Sequence, residues 1–108
     1  MEKRNTMTWD ELVSSYAKNP RDVKTCPIRK EGVWFYVYVD NENIYVENAK
    51  YHSNSSKIKH KRVLEKDKVD IMLSIYHRRC KRESVSIEAK SITHNQVYWY
   101  GIFADMNL

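Results

Sequence analysis

Apolar side chains recur along this chain in two rhythms, and the rhythms divide it into elements. Near the N-terminus Trp9, Leu12, Val13 and Tyr16 fall at i, i+3, i+4 and i+7, on one face of a helix. Thr8-Trp9-Asp10-Glu11 ahead of them is a T-x-x-E capping box, in which hydroxyl and carboxylate each satisfy an orphan amide. Asn19-Pro20 ends the helix, because a residue before proline avoids the helical region. Residues 20 to 32 lose the rhythm and read as an irregular connection. Strict alternation then begins at Val33: Phe35, Val37 and Val39 point one way, Trp34, Tyr36 and Tyr38 the other. Asp40-Asn41-Glu42-Asn43 is turn chemistry, and Ile44-Tyr45-Val46 resumes the alternation, so 33 to 47 predicts a β-hairpin. Both faces of its first strand are aromatic or branched, which calls for a cover on each.

Beyond a polar turn at 52 to 56, Lys57-Ile58-Lys59-His60-Lys61-Arg62-Val63 carries a cation at every second or third position. It reads as a third, edge strand, where lysines discourage unwanted pairing, or as a basic loop. Residues 67 to 82 predict a second helix, with Asp67 as N-cap and Val69, Met72, Leu73, Tyr76 and Cys80 as its apolar stripe. Its last turn, Arg78-Arg79-Cys80-Lys81-Arg82, suits the negative end of a helix dipole.

Residues 84 to 108 admit strands or helices. Val97-Tyr98-Trp99-Tyr100 has strand propensity. Against that, Thr93-His94-Asn95-Gln96 reads as a second capping box, and Trp99, Ile102, Phe103 and Met106 repeat the spacing seen at Trp9. Helices over 67–82, 86–91 and 95–106 then form a cluster in helix-turn-helix order. The fold class is α+β in a single domain: an N-terminal helix, an antiparallel β-hairpin or three-stranded sheet, and a C-terminal helical cluster. Residues 1–6 are expected to be a flexible lead.

Composition narrows the classes of function. Glycine and proline number only two each in 108 residues, against a disordered or loop-rich chain. The two cysteines, Cys26 and Cys80, are too few for a disulfide framework and point to a reduced, cytoplasmic protein. No secretory leader is visible, and the longest apolar run, VWFYVYV, is far too short to span a bilayer, so no membrane is implied. The net charge of +5 is unevenly placed. Residues 57 to 82 hold ten lysines or arginines against Glu65, Asp67 and Asp70, whereas 31 to 49 hold four acids and no base. Such asymmetry points to an anionic partner for one face.

That charge map predicts a non-enzymatic protein that binds DNA or RNA and needs no cofactor. Lys57, Lys59, Lys61, Arg62, Arg78, Arg79, Lys81 and Arg82 would meet phosphates, expected together on one accessible surface. Asn95 and Gln96, at the start of the last helix, are amides of the type that pair with adenine. Tyr51, Tyr98 or Tyr100 could stack on unpaired bases. In a second reading the hairpin is a protein-contact surface carried by Trp34, Tyr36 and Tyr38. In a third, His77 and Cys80 share a metal with Cys26 and one of His52, His60 or His94; a core cysteine is the simpler account, and no metal is assigned. No GxSxG motif is present, and Gly32 and Gly101 cannot build a phosphate-cradling loop.

Val85-Ser86-Ile87-Glu88-Ala89-Lys90 resembles the E-x-K half of the PD-(D/E)xK nuclease pattern. The resemblance implies Glu88 on Mg²⁺ and Lys90 beside the nucleophile, on one face of a strand, with an acid at a strand end upstream. Here that acid would be Asp40, which is 48 residues away, or Asp70, which falls in a predicted helix.

Overall fold

The computed structural model describes residues 6–108, so the flexible lead expected over 1–6 lies, but for Thr6, outside the described residues. Helix α1 (Trp9–Lys18) leads into β1 (Arg21–Lys24), β2 (Trp34–Asp40), β3 (Asn43–Asn48) and the two-residue β4 (Arg62–Val63). A 3₁₀ turn at Lys66–Lys68 then opens α2 (Val69–Cys80), followed by α3 (Ser86–Ile92) and α4 (Gln96–Asp105). The four strands form one antiparallel meander in the order β1-β2-β3-β4. The class is α+β, with the helices before and after the sheet.

The hydroxyl half of the predicted N-terminal cap forms: Thr8 Oγ1 accepts from the Glu11 amide at 3.1 Å, and Trp9, Leu12 and Tyr16 are buried beneath it. The hairpin register, Asp40 opposite Asn43, leaves a two-residue turn at Asn41 and Glu42, with φ of 52° and 66°. Both angles lie in the left-handed region that a tight primed turn demands. Three expectations fail. Residues 20 to 32 were expected to be irregular, yet Arg21–Lys24 pairs with β2, with Val23 opposite Phe35. Asp67 lies in the 3₁₀ turn, and α2 has no side-chain cap. Thr93 is the C-cap of α3 rather than the first residue of a capping box, and Asn95 precedes α4 without a side-chain cap bond.

The core lies on one face of the sheet only. Phe35, Val37, Ile44 and Val46 are fully buried there beneath α1 and α4, and α2 closes over α4. Helix α4 is the centre of this layer, with every residue from Tyr98 to Phe103 buried. Trp99 stacks on Phe103 with centroids 5.5 Å apart, and Tyr98 meets Phe35 edge-on at 5.1 Å. Gly101 is what lets α4 come this close. A Cβ there would stand 2.8 Å from the Lys24 carbonyl oxygen and 2.9 Å from a Phe35 ring carbon.

Candidate nucleic-acid interface

Alternation fixes what the other sheet face presents. Trp34, Tyr36 and Tyr38 of β2 stand there with Tyr45 and Glu47 of β3, Asp22 and Lys24 of β1 and Val63 of β4, by the strand register. The sequence called for a cover on both faces. The helices cover one; on this face the rings and the 49–56 loop cover one another, so that Tyr36 is buried and Trp34, Tyr38 and Tyr45 are half-buried. Tyr36 stacks on Tyr38 (5.8 Å, 28°), and Tyr38 on Tyr45 across the strands (5.4 Å, 20°). Tyr51 meets Tyr36 edge-on at 6.3 Å and is itself 75% exposed. His52 lies flat on Trp34 at 3.5 Å.

Three of these rings carry an ammonium. Lys24 Nζ lies 5.8 Å from the Trp34 ring centroid, Lys50 Nζ 4.6 Å from Tyr36, and Lys61 Nζ 4.8 Å from Tyr45. Such contacts hold the lysines over the rings without neutralising them, although Lys24 is also paired with Glu31 at 3.6 Å. Lys50, Lys59 and Lys61 also line a small pocket of about 300 Å³, together with Glu47. Burial first, and then the neighbouring Glu47 carboxylate, raise the Tyr38 phenol above its ordinary pKa, so it stays neutral.

One buried carboxylate holds the loop that supplies Lys50, Tyr51 and His52. Asp22 accepts from the amides of Lys50 (2.9 Å), Tyr51 (2.7 Å) and His52 (3.0 Å), and its Oδ2 lies 2.8 Å from His52 Nδ1. Burial alone would raise its pKa. The His52 ring and the three amides outweigh burial and hold it below the ordinary value. Alongside, the Trp34 amide donates to the Asn54 carbonyl and the Ser56 amide to the Trp34 carbonyl, both at 2.8 Å, which seats the loop against β2.

The residues singled out by sequence separate into groups. Lys59 and Lys61 stand at the edge of the aromatic face. Lys57, Arg79 and Gln96 line a larger cleft around the other end of the molecule's loops. Arg78 is paired with Glu88 (2.8 Å) and Glu83 (3.3 Å), and Arg79 donates to the Cys26 carbonyl (2.6 Å) with its guanidinium over Tyr100. Lys81 and Arg82 are exposed just past α2. The cations of 57 to 82 thus divide between the sheet edge, with Lys59 and Lys61, and the cleft, where Lys57 and Arg79 meet.

Arg62 and Asn95 serve the fold. Arg62 Nη1 donates to Asn95 Oδ1 at 3.2 Å, and Asn95 Nδ2 donates to Glu65 Oε1 at 3.1 Å. Glu65 also takes the Thr93 hydroxyl and, at 3.4 Å, the Trp99 indole N–H. Burial opposes its ionisation, but these bonds prevail and lower its pKa. The Asn95 amide is therefore committed, and most of α4 is core, which leaves only Val97, Ala104 and Asp105 of the helix exposed. Tyr98 and Tyr100 are buried as well. Glu88 and Lys90 sit on helix α3, not a strand; two residues apart there, they diverge by about 200°. Glu88 is bonded to Arg78, and the nuclease arrangement is not formed. Among the described residues no three of His, Cys, Asp and Glu gather as a metal site.

Sequence reasoning missed Lys24, Lys50 and Tyr45 as members of the aromatic face, and Asp22 as its support. Tyr45 carried a signal, since a two-residue turn after Asp40 puts it opposite Tyr38. Asp22 carried none. No helix is long and apolar enough to cross a membrane. No known protein family matches this chain, nor does any curated protein or solved structure.

Proposed function

We propose that this protein binds single-stranded nucleic acid, DNA or RNA, on its uncovered sheet face, without catalysis. The observation that carries the proposal is the half-buried pair Tyr38 and Tyr45 with the exposed Tyr51 beside them and Lys50 and Lys61 held against the aromatic row, the buried Tyr36 and the His52-capped Trp34 serving as its base. Bases have apolar π faces that stack on such rings, and the backbone between them needs cations at the rim. A duplex hides its bases and offers this surface only phosphates. Lys59 extends the basic rim beyond β3, and Lys57 continues it toward the cleft. The free thiols of Cys26 and Cys80 suit a reducing cytoplasm.

The test is fluorescence anisotropy with labelled oligouridylate and oligothymidylate, against a duplex of equal length. Single strands should bind more tightly. Tyr38→Ala should weaken them by about 1–3 kcal/mol, the usual worth of one stacked base. Equal affinity for duplex, or none lost in the variant, would refute the proposal.

A protein partner seated on Trp34, Tyr36 and Tyr38 is the second reading. It is favoured by the exposure of Val63 (48%) and Tyr51 (75%) at either side of the row. Binding of neither strand, with a protein captured by the native chain and lost in Tyr38→Ala, would decide for it.

A further inference from the structure

The smaller pocket, about 300 Å³, lies beside the aromatic row and is lined by Glu47, Asn48, Lys50, Ile58, Lys59 and Lys61. Its walls are tied down on both sides. The Asn48 side chain bonds both ways to the backbone of Ile58: its carbonyl oxygen accepts from the amide at 2.7 Å, and its NH₂ donates to the carbonyl at 3.0 Å. That clamp fixes the segment bearing Lys59 and Lys61 against the end of β3. Lys50 is fixed from the other side, by its own amide on the buried Asp22 carboxylate at 2.9 Å. Two of the three ammoniums are placed by rings, Lys50 Nζ at 4.6 Å from the Tyr36 centroid and Lys61 Nζ at 4.8 Å from that of Tyr45.

Three lysines therefore line one small space, and none of them is in a salt bridge among the described residues. The one acid in the lining, Glu47, stands beside the Tyr38 hydroxyl. Counted against the lysines, it leaves a surplus of two positive charges. The volume is that of about ten waters, room for a compact anion with part of its hydration. A carboxylate brings one charge and two oxygens. A phosphodiester within a strand also brings one charge, on two free oxygens. A phosphomonoester brings close to two charges on three oxygens, one for each ammonium. It is the match for this surplus in this space.

We propose that this pocket binds a phosphomonoester dianion, the terminal phosphate of the single strand stacked on the neighbouring rings. This rests on the sheet-face reading and adds to it where the strand ends. The last bases lie on Tyr38 and Tyr45, and the terminal phosphate lies among Lys50, Lys59 and Lys61. A strand ending in a hydroxyl stacks on the same rings but leaves the surplus charge of the pocket unmatched. The site thus distinguishes phosphorylated ends from bare ones, a choice that the rings alone cannot make.

The experiment competes unlabelled oligouridylates of one length against a labelled strand on the full chain. One competitor has hydroxyls at both ends, one a 5′-phosphate and one a 3′-phosphate. A phosphate at one end should tighten binding by at least about tenfold over bare ends, the worth of one charge-assisted hydrogen bond. The end that gains gives the polarity of the strand on the face. Lys59→Ala changes an exposed side chain, so it should melt as the native chain does. It should bring the ratio of phosphorylated to bare affinity close to unity. Because the readout is a ratio, a general loss of strand affinity in the variant cancels. Equal binding of all three strands, or an advantage undiminished in Lys59→Ala, overturns the proposal and leaves the sheet-face reading standing. If no strand binds, the sheet-face reading fails, and the pocket is judged alone by amide NMR titration with uridine monophosphate and with uridine. Shifts at Lys50, Lys59 and Lys61 with the monophosphate only would uphold the phosphomonoester site; their absence overturns it.

Discussion

Replacing Asp22 by Asn tests whether one carboxylate holds the site in place. In the native chain Oδ2 receives the amides of Tyr51 and His52 and the His52 ring, and Oδ1 receives the Lys50 amide. An asparagine has one oxygen. Placed at Oδ2, it leaves the Lys50 amide facing an NH₂ group, and a buried donor without an acceptor costs about 1–3 kcal/mol. The other bonds change from a charged to a neutral acceptor and weaken as well. The total loss is expected to be about 3 kcal/mol, a fall in melting midpoint on the order of 10–20 °C for a domain of this size. Urea unfolding followed by tryptophan fluorescence measures it. The pH dependence gives a second check. Asp22 titrates below its unfolded value of about 3.9, so its stabilisation is complete above that pH and is lost as pH falls through the lower folded value. The gap between the native chain and Asp22→Asn should be present at about pH 5 and shrink toward pH 3. Oligonucleotide affinity should drop with it, because Lys50, Tyr51 and His52 lose their anchor. A variant as stable as the native chain, or a gap that ignores acid, would refute the reasoning.

Other consequences are equally direct. Gly101→Ala gains up to about 1 kcal/mol of helix propensity but drives a Cβ to 2.8 Å from the Lys24 carbonyl oxygen. Overpacking of about 1–3 kcal/mol should win, and calorimetric melting should show a net loss. Glu42→Gly relieves a left-handed residue at φ 66° and should raise stability by about 1 kcal/mol in the same melt. Single-strand affinity should fall with salt at a log–log slope near −2 to −3 if three or four lysines meet phosphates, and Lys61→Ala should lessen that slope by about 0.7.

Much of the architecture was legible because it rests on local chemistry. The capping box at Thr8, the alternation from Trp34 to Val39 and the turn at Asn41 each act within a few residues. The choice of helix for the last segment held against Gly101 and a run of strand-forming residues. Its spacing of Trp99, Ile102 and Phe103 matched a buried face, and the glycine proves to be the point of contact with β1 and β2. Strand β1 was not legible: Arg-Asp-Val-Lys is short and charged, and only its partner across ten residues makes it a strand. Nor could alternation say which face of the hairpin the helices would choose, since both are apolar. Asn95 misled because an amide before a helix looks ready to read a base, and only the fold brings Glu65 and Arg62 to it. The division of the cations between the sheet edge and the cleft was not legible either, because nearness in sequence does not record it. Asp22 owes its importance to amides 28 to 30 residues away, which no local pattern records.

The most direct measurement is a backbone amide NMR titration of the native chain with a short single-stranded oligonucleotide. Shifts should concentrate on Trp34, Tyr36, Tyr38, Tyr45 and the Lys50–His52 loop, with Lys59 and Lys61 at the margin. Perturbations gathered instead at the end of α2, or a spectrum that does not move, would contradict the claim that the uncovered sheet face is the binding surface.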